Sequence, residues 1–270
     1  IDALIISQLR EVAKTYGRPR RSQILFDVPV PAAQEEEEAP DYPVNLFFTA
    51  EGYFKKITPQ SLRMSGEQKL KEGDSVRQEV EAQNGDHLLF FTDKGQVYKS
   101  RASEFDDTKA SVLGDYLPTK LGMDPGELPV YMAVTRDYKG WMFFAYENGK
   151  VAKVELASYE TKTKRKKLLG AYSMKSPLVF LTALGEDGEF LCATSASRML
   201  IVNTAMVAPK AARDTQGVQA LTMKPSVRLA WVKPYREGMV ENPHRLKTKN
   251  LPAAGALVRE TDLGEQLTLS

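Results

Sequence analysis

A hairpin that recurs along the chain constrains the fold more than any single residue. From Leu88 to Ser100 the sequence LLFFTDKGQVYKS reads as an apolar strand, a tight turn at Gly95 and a second strand alternating Val97 inward with Lys99 outward. Leu46 to Ile57 (LFFTAEGYFKKI) has the same order around Gly52, and Phe143 to Val154 (FFAYENGKVAKV) repeats it around Asn148-Gly149, a pair suited to a type I′ turn. A weaker copy, Leu191 to Val202 (LCATSASRMLIV), has Ser197 in place of the glycine. Lys56, Lys99 and Lys153 each stand four residues beyond their turn, where the fourth copy has Ile201. The turns at 52, 95, 149 and 197 are 43, 54 and 48 residues apart by subtraction. That period is the signature of a propeller, whose blades are small antiparallel sheets that cannot bury their faces alone.

The excursion after each hairpin passes a glycine (Gly66, Gly114, Gly170, Gly217) before a short apolar segment, so the period shows itself twice. These excursions read as the outer part of a blade and its connection onward. The region from Ser226 is broken by Pro234, Pro243 and Pro252, and residues 233–270 read as a degenerate last blade or a tail covering the last sheet edge. Ahead of the repeats, residues 1–16 place Leu4, Ile5, Leu9, Val12 and Tyr16 on one helical face, with Asp2 available as N-cap. The helical segment with its basic end (Arg18, Arg20, Arg21) is assigned to residues 1–25, and an acidic, proline-rich linker around Glu35 to Glu38 to residues 26–43. The repeats fill residues 44–232. The expected fold is all-β, a propeller of four-stranded blades with a short N-terminal helix.

Net charge is only +2, but it is unevenly placed: residues 41–137 carry 12 Lys/Arg against 16 Asp/Glu, and residues 138–232 carry 14 against 7. An acidic sector followed by a basic one favours a polyanion along part of the rim. The run Lys162, Lys164, Arg165, Lys166, Lys167 is dense enough to attract phosphate without reading sequence. With the recurring Lys56, Lys99 and Lys153 it suggests a spaced basic track.

Enzymatic chemistry finds little support. His87 and His244 have no sequence partner for nucleophilic or metal chemistry, no glycine-rich phosphate loop opens a helix, and Asp106-Asp107 and Glu186-Asp187 read as turn residues. The one cysteine, Cys192, excludes a disulfide framework and reads as core. The paired phenylalanines 47-48, 90-91 and 143-144 read as core packing rather than base-stacking platforms. No stretch suits a membrane span or a signal peptide, so a cytoplasmic protein is expected, and a first residue of Ile1 suggests part of a longer chain.

The units TAEGYFKKITPQSLR and HLLFFTDKGQVYKSRASEF resemble repeats in the C-terminal domain of the A-type subunit of bacterial type IIA DNA topoisomerases, DNA gyrase and topoisomerase IV. RDTQGVQALTMK is similar to a later blade of that domain. IISQLREVAKTYGRPRRSQI is similar to the last helix of the coiled-coil arm before it, with Ser22 at a position where the family has threonine. The resemblance implies a β-pinwheel whose blades exchange a strand, binding duplex DNA around a basic rim and bending it toward the cleavage core. Bending a site of a few tens of base pairs costs roughly 1–6 kcal/mol, offset by added contacts. It further implies no catalytic residue, metal or cofactor in this portion, with ATP and Mg used elsewhere in the holoenzyme. The partners it implies are double-stranded DNA, the ATPase subunit of the holoenzyme, and the cleavage core that belongs to the same chain as this domain. Together with the charge pattern it nominates as DNA-binding Lys55, Lys56, Arg63, Lys99, Arg101, Lys153, Lys162, Lys164, Arg165, Lys166, Lys167 and Arg213.

One departure bears on the choice within the family. Where gyrase A proteins typically carry a Q-R-R-G-G-K-G box, needed for wrapping DNA with a positive crossing, this chain has Arg63-Met64-Ser65-Gly66-Glu67-Gln68-Lys69. Binding and bending without a full chiral wrap, as in topoisomerase IV, is the expectation. The rival reading is a protein-interaction propeller whose basic sector docks an acidic partner.

Overall fold

The computed structural model describes residues 2–18, 40–64, 67–161, 165–259 and 262. Two compact units emerge, residues 1–38 and 39–270. In the first, helix α1 (Asp2–Tyr16) carries an acid in its first turn and Lys14 in its last, both favourable to the helix dipole. Asp2 lies inside the first turn rather than capping it. Every residue of α1 is exposed, including Leu4, Leu9 and Tyr16 on its apolar face. Arg20, Arg21 and the glutamate run lie outside the described residues.

The second unit opens with the hairpin β1 (Pro43–Thr49) and β2 (Tyr53–Ile57), then α2 (Pro59–Arg63) and β3 (Val76–Gln83). The second hairpin is β4 (His87–Thr92) with β5 (Val97–Arg101), followed by β6 (Asp115–Tyr116), α3 (Leu117–Lys120) and β7 (Pro129–Thr135). The third is β8 (Trp141–Tyr146) with β9 (Lys150–Glu155), followed by β10 (Lys167–Leu168) and β11 (Leu178–Leu184). The fourth is β12 (Glu189–Thr194) with β13 (Arg198–Asn203). After it come β14 (Val218–Gln219), β15 (Leu229–Pro234), α4 (Pro243–Leu246) and β16 (Ala256–Leu257).

These strands form four antiparallel four-stranded sheets, ordered β3-β1-β2-β6, β7-β4-β5-β10, β11-β8-β9-β14 and β15-β12-β13-β16. In the first three blades the outer strand is supplied from beyond the next blade's hairpin, which is the strand exchange of a pinwheel. No further blade hairpin follows the fourth among the described residues. Its outer strand is β16, from the C-terminal segment, paired as Arg198 to Leu257 and Met199 to Ala256. That segment is therefore a cover for the last sheet edge rather than a fifth blade. Asp41 and Tyr42, assigned to the linker on sequence, belong to the pinwheel: Asp41 pairs with Arg136, and the Tyr42 hydroxyl donates to Asp107.

All four hairpins use one turn. The N–H groups of Gly52, Gly95, Gly149 and Ser197 donate to the carbonyls of Thr49, Thr92, Tyr146 and Thr194. Each of these four donors has a positive φ, which Ser197 adopts at 53° without being glycine. Asn148 does not share it, so the third turn is a type I turn closed by a left-handed residue and not the expected type I′. A type I′ turn would need positive φ at both central residues.

The phenylalanine pairs explain how the blades stack. Neighbouring strand residues face opposite sides of a sheet, so each pair serves two interfaces. Phe48 meets Phe90 between the first and second blades, Phe91 meets Phe144 between the second and third, and Phe143 stacks on Phe190 between the third and fourth. All are buried, and each full burial stabilises the fold by about 1.5–3 kcal/mol. Gln78 of β3 ties the first two blades by bonding both the N–H and the carbonyl of Met132. Among the described residues no core cluster joins the fourth blade to the first. The free face of the first blade, with Phe47 and Ile57, is covered by Leu62 and Ala110, and that of the fourth by Met239, Val240 and Leu246.

Candidate nucleic-acid interface

Two of the three lysines that repeat with the hairpins, Lys56 and Lys153, are buried and so do not stand on an exposed rim. Lys56 is 3% exposed; its ammonium donates to Asn84 Oδ1 at 2.7 Å and pairs with Asp107 at 3.2 Å. Lys153 is equally buried, 2.5 Å from Asp187 Oδ1, 3.4 Å from the Thr204 carbonyl oxygen and 4.0 Å from the centre of the Trp141 ring. Lys55, on the other face of β2, is also buried and donates to Gln68 Oε1 and the carbonyls of Lys69 and Ala110. Burial among these neutral acceptors holds its pKa below the usual lysine value. These three ammonium groups are internal plugs for buried acceptors, which corrects their reading as rim residues.

Lys99 is intermediate. Its ammonium donates to Thr161 Oγ1 and stands 5.4 Å from the Tyr138 ring centre, and burial lowers its pKa. Its backbone N–H donates to the carbonyl of Lys166, so the chain entering the exchanged strand β10 brings Lys166 and Lys167 against β5. Arg165 and Lys166 are exposed there and Lys167 is half-buried. Arg101, exposed, ends β5 opposite His87, whose pKa is lowered by burial first and then by Arg101 and Lys99. Arg213 lies near enough to Lys99 to lower its pKa further and donates to the Ser158 carbonyl. The outer edge of the second blade thus gathers Lys99, Arg101, Arg165, Lys166, Lys167 and Arg213. Lys162 and Lys164 lie outside the described residues, and Arg63 stands apart from this group, at the end of α2.

Three side chains at this edge escaped sequence reasoning. Lys120, at the end of α3, stands 5.6 Å from the centre of the Phe105 ring and 3.4 Å from Asp115. With Lys99 and Lys166 it lines a cleft of about 230 Å³ whose walls include Tyr98 and Phe105. Glu104 enters the same cleft, accepting from Ser100 Oγ at 2.8 Å and from Lys166 Nζ at 3.1 Å. Beside it Lys167 pairs with Asp124 at 2.7 Å, which raises the lysine pKa and lowers that of the carboxyl. Only tertiary placement joins these positions, and no spacing announces it.

Cys192 is buried, with its thiol pushed up to about 12 by burial. Among the described residues no group of three His, Cys, Asp or Glu side chains is placed to hold a metal ion, and no helix is long and apolar enough to cross a membrane.

The chain is similar to known proteins in sequence and in fold. The sequence profile for "DNA gyrase C-terminal domain, beta-propeller" matches residues 86–111 and 188–235. The chain is 25% identical over 248 residues to the A subunit of DNA gyrase from Metamycoplasma arthritidis, covering 87% of this chain and 27% of that protein. It is 24% identical over 226 residues to the A subunit of DNA topoisomerase 4 from Staphylococcus aureus, covering 82% of this chain and 28% of that protein. The chain thus spans about a quarter of the length of the curated relatives it matches. Its fold is similar to a crystal structure of the C-terminal domain of DNA topoisomerase IV, with a TM-score of 0.69 and 18% identity over 83% of this chain and 76% of that one. In sequence the chain is thus similar to A subunits of DNA gyrase and DNA topoisomerase 4, and in fold to the C-terminal domain of DNA topoisomerase IV.

Proposed function

We propose that this pinwheel, similar to the C-terminal domains of the gyrase and topoisomerase IV A proteins, binds duplex DNA along the outer edge of its second blade. On this reading it bends the DNA and presents it to the cleavage core of a cytoplasmic, ATP-dependent type II topoisomerase. The observation that carries the reading is the gathering of Arg165, Lys166, Lys167, Arg101 and Arg213 at the edge completed by β10. Exposed guanidinium and ammonium groups attract phosphate without base contacts, and affinity then falls steeply with salt. Catalysis, with ATP and Mg, would reside in the rest of the holoenzyme, and this portion would contribute DNA geometry.

The test replaces Arg165, Lys166 and Lys167 together by glutamate and measures retardation of a linear duplex across a salt series. Each residue that touches phosphate contributes about 0.9 to the slope of log affinity against log salt, so the variant should bind weakly with a slope shallower by up to about 2.7. Its thermal midpoint should stay within a few degrees of the parent. Unchanged affinity would leave the edge to an acidic protein partner. Sealing nicked plasmid in the presence of the chain tests the handedness of the path. No linking-number change, alongside clear retardation, is expected from the absent gyrase box; a positive change growing with protein would refute that part.

A further inference from the structure

We infer that Glu104 is a built-in competitor for DNA phosphate, its carboxylate occupying the site that one backbone phosphate takes when duplex binds. The inference rests on the DNA-binding reading above and adds a mechanism to it.

Glu104 Oε2 accepts from the Ser100 hydroxyl and the Lys166 ammonium, a donor pair equally suited to a phosphate oxygen. Ser100 is buried, so its hydroxyl is fixed in the cleft wall, whereas Glu104 is 41% and Lys166 71% exposed at the side chain. The cleft offers about 230 Å³, room for a tetrahedral anion, and Lys120 lines it as further positive charge. The arrangement sits beside β10, on the edge where Arg165 and Lys167 are also found. Exposed ion pairs such as this are weak, so an arriving row of phosphates can displace the carboxylate. Duplex binding at this point therefore exchanges one anion for another. The free protein keeps Lys166 engaged, and weak polyanions gain less from the site than duplex does.

The test is Glu104→Gln in the full 270-residue chain, which keeps the side chain's shape and an acceptor for Ser100 while removing the charge. Glu79→Gln, a carboxylate on β3 away from the edge, gives the same change in net charge. Glu104→Gln should tighten binding of a duplex of about 30 base pairs about two- to fivefold at low salt and steepen the salt slope by up to about 0.9. Glu79→Gln should leave both within error, and adding Lys166→Gln to Glu104→Gln should abolish the gain. Equal effects of the two single substitutions, or no gain from Glu104→Gln while the glutamate triple variant still loses binding, would overturn the competitor role and leave DNA binding intact. If the parent chain retards no duplex at any salt, the DNA reading itself fails and the site falls with it.

Discussion

Lys153→Met distinguishes a structural lysine from a phosphate contact, because the structure assigns it a large effect on stability and none on DNA. The Lys153 side chain is 4% exposed, and its ammonium is 2.5 Å from Asp187 Oδ1 and lies over the Trp141 ring at 4.0 Å. Removing one member of a fully buried pair costs about 3–5 kcal/mol. The cost here falls lower, since Asp187 is 35% exposed and keeps the Thr204 hydroxyl at 2.7 Å. Loss of the desolvated cation–π contact adds about 1–2 kcal/mol, part of it recovered by the methionine packing on the ring. The net expectation is about 2–3 kcal/mol, or a fall in thermal midpoint of about 4–12 °C for a domain of this size. Differential scanning calorimetry measures the midpoint, and duplex retardation at about 15 °C measures binding, which should stay within about twofold of the parent. The pair also sets a pH dependence. The Lys153 ammonium, and after it the Thr204 hydroxyl, hold the Asp187 carboxyl below its ordinary value of 3.8. Its stabilisation is therefore complete above pH 3.8 and is lost as pH falls through the lower folded value. In Lys153→Met that acid limb should flatten. An unchanged midpoint with lost DNA binding would refute the reasoning and restore the recurring lysines to the DNA path.

Other consequences follow from close packing. Gly217 has φ +72°, and a Cβ there would stand 2.0 Å from the Val151 carbonyl oxygen, where β14 joins the third blade. Gly217→Ala should cost at least about 3 kcal/mol, read as a midpoint fall, by adding a backbone clash to the roughly 1–2 kcal/mol of a left-handed residue. Gly122, at φ +61° with nothing within 4 Å of its Cβ position, should show the conformational cost alone. Cys192, buried with its thiol pushed up to about 12, should not react with a thiol reagent near pH 8 until denaturant is added; labelling of the native protein would mean that the fourth blade opens.

How much of the fold and of the candidate interface is legible in the sequence depends on whether the signal is local. The hairpins are legible, because a strand-turn-strand unit is written in consecutive residues: glycine or serine at the left-handed position and phenylalanine pairs on the first strand. The phenylalanines read correctly as core because apolar residues on both faces of a strand require cover on both. Pairing of β10 with β5, or β16 with β13, is not legible. Those outer strands are two residues long and carry no period of their own. Lysine four residues beyond the turn is visible as a repeat but misleads, since repetition in sequence shows a shared environment and not which environment it is. Lys56 and Lys153 share a buried one, revealed by partners as distant as Asp107 and Asp187.

The basic residues at β10, Lys167 and the preceding Lys166, have a second physical meaning, which bears on how they must be tested. An outer strand leaves one row of backbone groups unpaired, and charged side chains, lysine above all, keep such an edge from pairing with another chain. Lys166 and Lys167 would serve that purpose in a protein that never met DNA. Two observations weigh toward the added role: the run is joined by Arg101, Arg213 and Lys120 from other elements, none on β10 itself, and Lys166 and Lys167 are held by Glu104 and Asp124, anions at hydrogen-bonding distance. Edge protection depends on charge of either sign, whereas phosphate attraction depends on positive charge. Substitution by glutamate keeps the first and reverses the second, while substitution by alanine would remove both. Loss of DNA binding in the glutamate variant, with the parent's oligomeric state retained at high concentration, would therefore assign the lysines to phosphate; aggregation of the alanine variant would report the edge they also guard.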